Sequence, residues 1–192
     1  MIVPIGVDCG MVEFCKKYNL RISAMPFDWA VSYNGVSKCI EDDLKLFSNP
    51  LENRINQYDV YFHHDFKNDE SILSDTEKYD RRCERLLHLL NTSDEDITFC
   101  RKGHACHHHN EHNGKYNTII SDIEDAEKLN EVLIKKYPKL KYKIIVILVC
   151  DKCFDPTTTY KSNSELVEVY NIATPQSDTA IFEKCARDIF KV

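Results

Sequence analysis

The chain predicts a single α/β domain over residues 1–192, a three-layer sandwich with a mainly parallel central sheet. Three observations carry that prediction. Apolar runs of strand length, such as Ile97-Thr-Phe-Cys-Arg101 and Ile144-Ile-Val-Ile-Leu-Val-Cys150, alternate with stretches of 3.6-residue periodicity. The run at 144–150 is apolar throughout, as strands covered on both faces are. No internal repeat, low-complexity segment or linker divides the chain, whose length suits one well-buried core.

The elements follow in order. Ile2-Val-Pro-Ile-Gly-Val-Asp-Cys9-Gly10 is a short strand that stops at a turn, and Met11, Phe14, Cys15 and Tyr18 then share one face of a helix. Pro26 forces Met25 into extended backbone, so Met25-Pro-Phe-Asp28-Trp29 is a shaped loop in which two large rings flank a carboxylate. Ile40, Leu44 and Phe47 give a helix over 37–47, ended by Asn49-Pro50. Gln57–Phe66 alternates weakly as an extended segment with His63 and His64 on opposite sides. Ser74-Asp-Thr-Glu77 has the form of a capping box ahead of a helix with Tyr79, Cys83, Leu86, Leu87 and Leu90 inward. After the strand at 97–101 comes a polar, histidine-dense loop, Lys102 to Asn117. Ser121-Asp-Ile-Glu124 opens a helix with Ala126, Leu129, Leu133 and Tyr137 inward, stopped by Pro138. Leu166–Tyr170 alternates as a strand nearer an edge, and Asp178 caps a last helix bearing Ile181, Phe182, Cys185 and Ile189.

Composition narrows the function classes. A net charge of -6 without a Lys/Arg stripe argues against nucleic acid. The longest apolar run is too short to span a bilayer, and Asp8, Cys9 and Glu13 interrupt any secretory leader. Nine cysteines, an odd number, predict a reducing compartment and mostly free thiols, with Cys15, Cys39, Cys83 and Cys185 as small core residues. Cytosol is the expected location. Five glycines and many Lys, Asn, Ile and Asp are the composition of an AT-rich genome, a viral one included, for which the host cytosol is meant.

Cys9 is the first chemical candidate, because a strand delivers it to the N-terminus of a helix, where N–H groups and the helix dipole favour a thiolate. The structural alternative is a small buried residue in a strand-to-helix turn. The topology rules set strand C-terminal ends along one edge, so Cys9, Arg101 and Cys150 are expected to share a cleft. Cys106, His107 and His109, with Cys150 and Cys153, supply enough ligands for a tetrahedral zinc site, although their spacing fits no standard finger. An exposed histidine-rich loop is the plainer reading, and no cofactor is expected.

Taken together, Ile-Gly-x-x-Cys9, Pro-Phe-Asp-Trp29, His64-Asp-Phe66, Tyr-Asp-Arg-Arg82 and Ile-Thr-Phe-Cys-Arg101 resemble a family of bacterial and giant-virus proteins named as papain-like cysteine peptidases. The resemblance covers about residues 3–150. It implies Cys9 as nucleophile, His64 as base, and Asp28 or Asp65 as the group that orients the histidine. Trp29, Arg101 and Arg81 or Arg82 would then contact a substrate anion or hold the cleft together. Backbone N–H groups at the Cys9-Gly10 turn would meet an oxyanion. The chain departs from papain in having no Gln ahead of the cysteine and no Trp directly after it. Its strand–helix alternation suits a flavodoxin-like or SGNH-like sheet, with a papain-like core as the alternative. The expected partner is a peptide, protein or small-molecule substrate. Two other classes stand beside the hydrolase: a non-enzymatic binding protein using Arg101 and Asp28 with a structural Cys9, and a zinc-stabilised module built on residues 100–153.

Overall fold

The computed structural model describes residues 1–104, 118–150, 159–173 and 179–192. Its elements run β1 (Ile2–Pro4), α1 (Gly10–Lys17), β2 (Val31–Ser32), α2 (Val36–Glu41), β3 (Val60–Tyr61), α3 (Asp69–Thr92), β4 (Ile97–His104), α4 (Ile119–Lys136), β5 (Tyr142–Cys150), β6 (Val167–Ala173) and α5 (Thr179–Phe190). The apolar runs of the sequence pair as a four-stranded sheet in the order β1-β4-β5-β6, every pair parallel. A separate two-stranded antiparallel pair joins β2 to β3.

Period-two alternation sorts the strand side chains onto two faces. Ile97, Phe99, Ile144, Val146 and Leu148 enter one core with the apolar sides of α2, α3 and α4. Cys100, Ile145, Ile147 and Val149 enter the other with Met11, Phe14 and Cys15 of α1 and Phe182 and Ala186 of α5. The result is the expected three-layer α/β sandwich, not the papain-like core carried as its alternative. The strand order is that of a flavodoxin-like sheet, 2-1-3-4-5, without its outermost strand. Residues 18–68, with β2, α2 and β3, take that strand's place in the chain order, between α1 and α3. The chain leaves β1 towards one face through α1 and arrives at β4 from the other through α3. Such a divergence leaves a crevice at the C-terminal ends of the strands, and Cys9 lies at it.

Several element boundaries differ from the sequence expectation. The helix expected over 37–47 is regular only to Glu41, because Asp43 and Leu44 turn to φ values of 54° and 56° and the Leu44 N–H closes back on the Cys39 carbonyl. The longest helix, α3, begins at Asp69 under Asn68, whose side chain accepts the Ser71 N–H, so Ser74 lies inside it and is not its cap. In α4 the capping box is Thr118 with Ser121, three residues upstream of the expected one. The extended segment at 57–66 is regular strand only at Val60–Tyr61.

Candidate active site

The nucleophile candidate is placed by the way β1 ends. Beyond Pro4 the chain continues alongside β4, with Ile5 N–H donating to the Cys100 carbonyl, Lys102 N–H to the Gly6 carbonyl, and Val7 N–H to the Lys102 carbonyl. Gly6 has a φ of 102°, and a Cβ there would lie 1.9 Å from Ser32 Oγ. Only glycine fits that bend, which turns the chain into Asp8 and Cys9. Cys9 is the N-cap residue of α1, its carbonyl accepting the Glu13 N–H, and its thiol is half-buried.

His64 arrives from the opposite side. Phe62 is fully buried against Phe47, Phe66 and Tyr79. After it, Asp65 accepts hydrogen bonds from Lys78 Nζ at 2.6 Å and Tyr79 Oη at 2.8 Å, and the Phe66 N–H donates to Asp75. With both flanks fixed to α3, His63 and His64 form an exposed crest between them. The His64 Nε2 lies 3.7 Å from Cys9 Sγ, within hydrogen-bonding reach of sulfur across 55 residues of sequence. Trp29 packs edge-to-face against the His64 ring, centroids 6.0 Å apart, and the His63 ring meets it at 4.8 Å. Lys16 of α1 lies over the Trp29 ring at 5.3 Å.

Neither aspartate of the expected triad hydrogen-bonds the imidazole. Asp65 is turned to Lys78 and Tyr79, so it anchors the crest and does not orient the ring. Asp28 is buried, and its Oδ2 accepts from Arg21 Nε and the Met25 N–H, each at 2.9 Å. Burial holds its carboxyl above the usual range, against the pull of those donors and of the Arg82 guanidinium. It ties the Met25–Trp29 turn together and thereby sets Trp29 against His64.

Arg101 is a correction to the substrate-binding expectation. Strand alternation turns it away from the crevice into the α4-side core, where it is 1% exposed. Its Nε donates to Asp122 Oδ1 at 2.6 Å, Nη1 to the Ile5 carbonyl and Ser32 Oγ, and Nη2 to the Ser32 and Tyr33 carbonyls. A guanidinium so engaged holds β1, the β2 turn and α4 together and has no reach to a ligand. Arg81 is exposed on α3, and Arg82 lies over the Tyr79 ring at 4.9 Å.

The residue that sequence reasoning passed over is the next one. Lys102 shares the Cys100 face and is buried beside α1, with Nζ 3.0 Å from Asp8 Oδ2. Asp8 Oδ1 accepts the Gly10 N–H at 2.7 Å, so the expected oxyanion donor is held by a carboxylate of the chain itself. Reading past the end of the Ile97–Arg101 run with strict alternation would have put Lys102 on the side of Cys9.

The expected thiolate does not hold in the resting chain. Burial, then the Asp8 and Glu13 carboxylates, raise the Cys9 pKa to about 11, with Lys102 as the opposing influence. At pH 7 about one molecule in ten thousand then carries a thiolate without help. Cys15 and Cys83 are pushed higher still, to about 12, by burial. The zinc candidates Cys106, His107, His109 and Cys153, and the side chain of Cys150, lie outside the described residues. Among the described residues no group of His, Cys, Asp and Glu could hold a metal ion, and no helix is long and apolar enough to cross a membrane.

Residues 53–152 match the family described as "Putative papain-like cysteine peptidase (DUF1796)". That span holds His64, Asp65, Arg81, Arg82 and Arg101, while Cys9 and the Phe27-Asp28-Trp29 turn precede it. No curated protein and no solved structure matches the chain. The matched span is more than half of the 192 residues and runs from the segment that carries the candidate base through α3, β4 and α4 to β5, so the chain belongs to this family.

Proposed function

We propose that the protein is a cysteine-dependent hydrolase of the peptidase type, in which Cys9 is the nucleophile and His64 the general base. The observation that carries this reading is the 3.7 Å approach of the His64 Nε2 to the Cys9 Sγ at the mouth of the sheet crevice. Because the thiol is held neutral, the imidazole in its neutral form takes the proton as sulfur attacks, and no thiolate–imidazolium pair is stored beforehand. The Sγ–carbon bond forms at a substrate carbonyl, whose π electrons move onto oxygen. As the tetrahedral species collapses, the proton on Nε2 passes to the leaving amine or alkoxide and a thioester remains. Water, deprotonated by the same imidazole, then releases the acid and the thiol. Trp29 and the flanking anchors Phe62, Asp65 and Phe66 take the part of the missing third triad member by fixing the ring through packing and through α3. The binding alternative loses support because Arg101 and Asp28 are both buried and engaged within the fold.

An electrophilic thiol probe tests the reading, with the labelled sites mapped by peptide mass spectrometry at pH 7. Cys9 is expected to label first in the wild type and to lose at least about tenfold in rate in His64→Ala. Labelling spread evenly over Cys9 and Cys185, the half-exposed thiols among the described residues, and unchanged in His64→Ala, would refute it.

A further inference from the structure

The crevice beside Cys9 contains a charge arrangement that the Cys–His pair leaves unexplained. A lysine is rarely buried without a purpose for its charge, and Lys102 keeps only 6% of its side chain exposed. It is carried there by β4, with the Lys102 N–H donating to the Gly6 carbonyl and its carbonyl accepting the Val7 N–H, so its backbone is held independently of the Asp8 side chain. A Cβ on Gly10 would lie 2.8 Å from Lys102 Nζ and 3.0 Å from Asp8 Oδ1, so glycine at this position lets ammonium and carboxylate meet over the first turn of α1. The Asp8 carboxylate bridges two positive features, the Gly10 N–H at 2.7 Å and the ammonium at 3.0 Å. These adjoin the residue whose attack on a carbonyl creates an oxyanion.

We propose that Asp8 is a resting-state latch: its carboxylate occupies the position that the reaction's oxyanion takes, between the Gly10 N–H and the Lys102 ammonium, and it gives way when substrate reacts. The inference rests on the hydrolase reading and names two further residues for it. Lys102 is the fixed positive partner of the transition state. Asp8 is a positioning residue that keeps the resting site neutral and the thiol protonated. The charged and titratable groups facing Cys9 are Asp8 beside it, Glu13 on α1, Lys102 on β4, Asp28 in the 25–29 turn and His64 on the crest. Removing the Asp8 charge leaves the influence of Lys102 on the sulfur without its nearest counter-charge, whereas removing Lys102 leaves only carboxylates and the imidazole. The substrates favoured by this arrangement develop negative charge at the acyl oxygen, and an acidic group next to the scissile bond would compete for the same donors.

The test compares alkylation of Cys9 by a neutral reagent, iodoacetamide, and by its anionic counterpart, iodoacetate. Rates come from peptide mass spectrometry at pH 7 and low salt. In Asp8→Asn, which keeps the shape of the side chain, the iodoacetate-to-iodoacetamide ratio is expected to rise about fivefold or more, as one unscreened cation near the sulfur requires. In Lys102→Met the ratio falls below wild type, in Lys102→Arg it stays near wild type, and in Asp8→Asn/Lys102→Met it returns towards wild type. A pair whose charges do not reach the reacting sulfur would move both reagents alike and leave the ratio unchanged. Should Lys102→Met fail to fold, Asp8→Asn decides alone: a ratio within about twofold of wild type overturns the proposal. Because every variant retains His64, that failure is separate from failure of the Cys9–His64 reading, which shows as indifference of both reagents to His64→Ala.

Discussion

Replacing Arg101 by methionine separates a structural guanidinium from a ligand-binding one. The substitution keeps the apolar stem but removes a charge that is 1% exposed, together with its bonds to Asp122, Ser32 Oγ and the carbonyls of Ile5, Ser32 and Tyr33. Breaking one half of a buried ion pair costs about 3–5 kcal/mol, because the remaining charge loses its compensation in a dry site. Carbonyls left without their donor add roughly another 1 kcal/mol, with no expectation of additivity. A loss of about 4–6 kcal/mol is a large share of the ~5–15 kcal/mol that holds a domain of this kind. It corresponds to a fall in Tm of roughly 10–20 °C at this chain length. Thermal and urea unfolding followed by far-UV circular dichroism measure it directly. Arg101→Met/Asp122→Leu recovers about 1–3 kcal/mol of the loss, since it removes both partners of the pair. A Tm within about 3 °C of wild type in Arg101→Met would mean that the guanidinium is not a core pin and would reopen a ligand role.

Other substitutions probe the scaffold of the site. Gly6→Ala meets Ser32 Oγ at 1.9 Å with φ at 102° and is expected to cost about 2–4 kcal/mol in urea unfolding, the sum of strain and overpacking. Trp29→Ala removes the ring that abuts His64 and lies under Lys16; it is expected to slow Cys9 labelling severalfold while costing no more than about 2–3 kcal/mol, because the indole is only half-buried. Asp65→Ala releases the crest from Lys78 and Tyr79; slower labelling of Cys9 is the expected result, since Asp65 anchors the segment that carries His64.

The fold was legible wherever periodicity is forced by burial on both faces. The all-apolar run at 144–150 became the central β5, and Met11, Phe14 and Cys15 became the buried stripe of α1, because no other arrangement hides them. Helix starts were less legible because caps compete locally: Asn68 and Thr118 each lie upstream of the residues that looked like capping boxes, and an upstream cap adds a turn of helix. At the site, Cys9 was legible from the strand-to-helix turn and His64 from the family pattern. Their approach depends on the Phe62, Phe47 and Tyr79 cluster, whose members come from separate segments. Of the two roles expected for Arg101, holding the elements together is the one its bonds fit; the direction of its side chain was not legible because its partner, Asp122, is a helix residue that nothing local connects to it. Lys102 was missed because the polar run from 102 to 117 reads as loop, whereas β4 extends through His104.

Proton transfer from Cys9 to His64 is the step on which the proposed chemistry turns, and the pH dependence of Cys9 alkylation in wild type and His64→Ala measures it. A thiol raised to about 11 is protonated across the neutral range, so reactivity there needs the imidazole, whereas near pH 11 hydroxide ionises the sulfur unaided. The wild type is therefore expected to lead His64→Ala by about tenfold or more at pH 7, with the two profiles converging as the pH approaches about 11. Superimposed profiles at every pH would contradict the account.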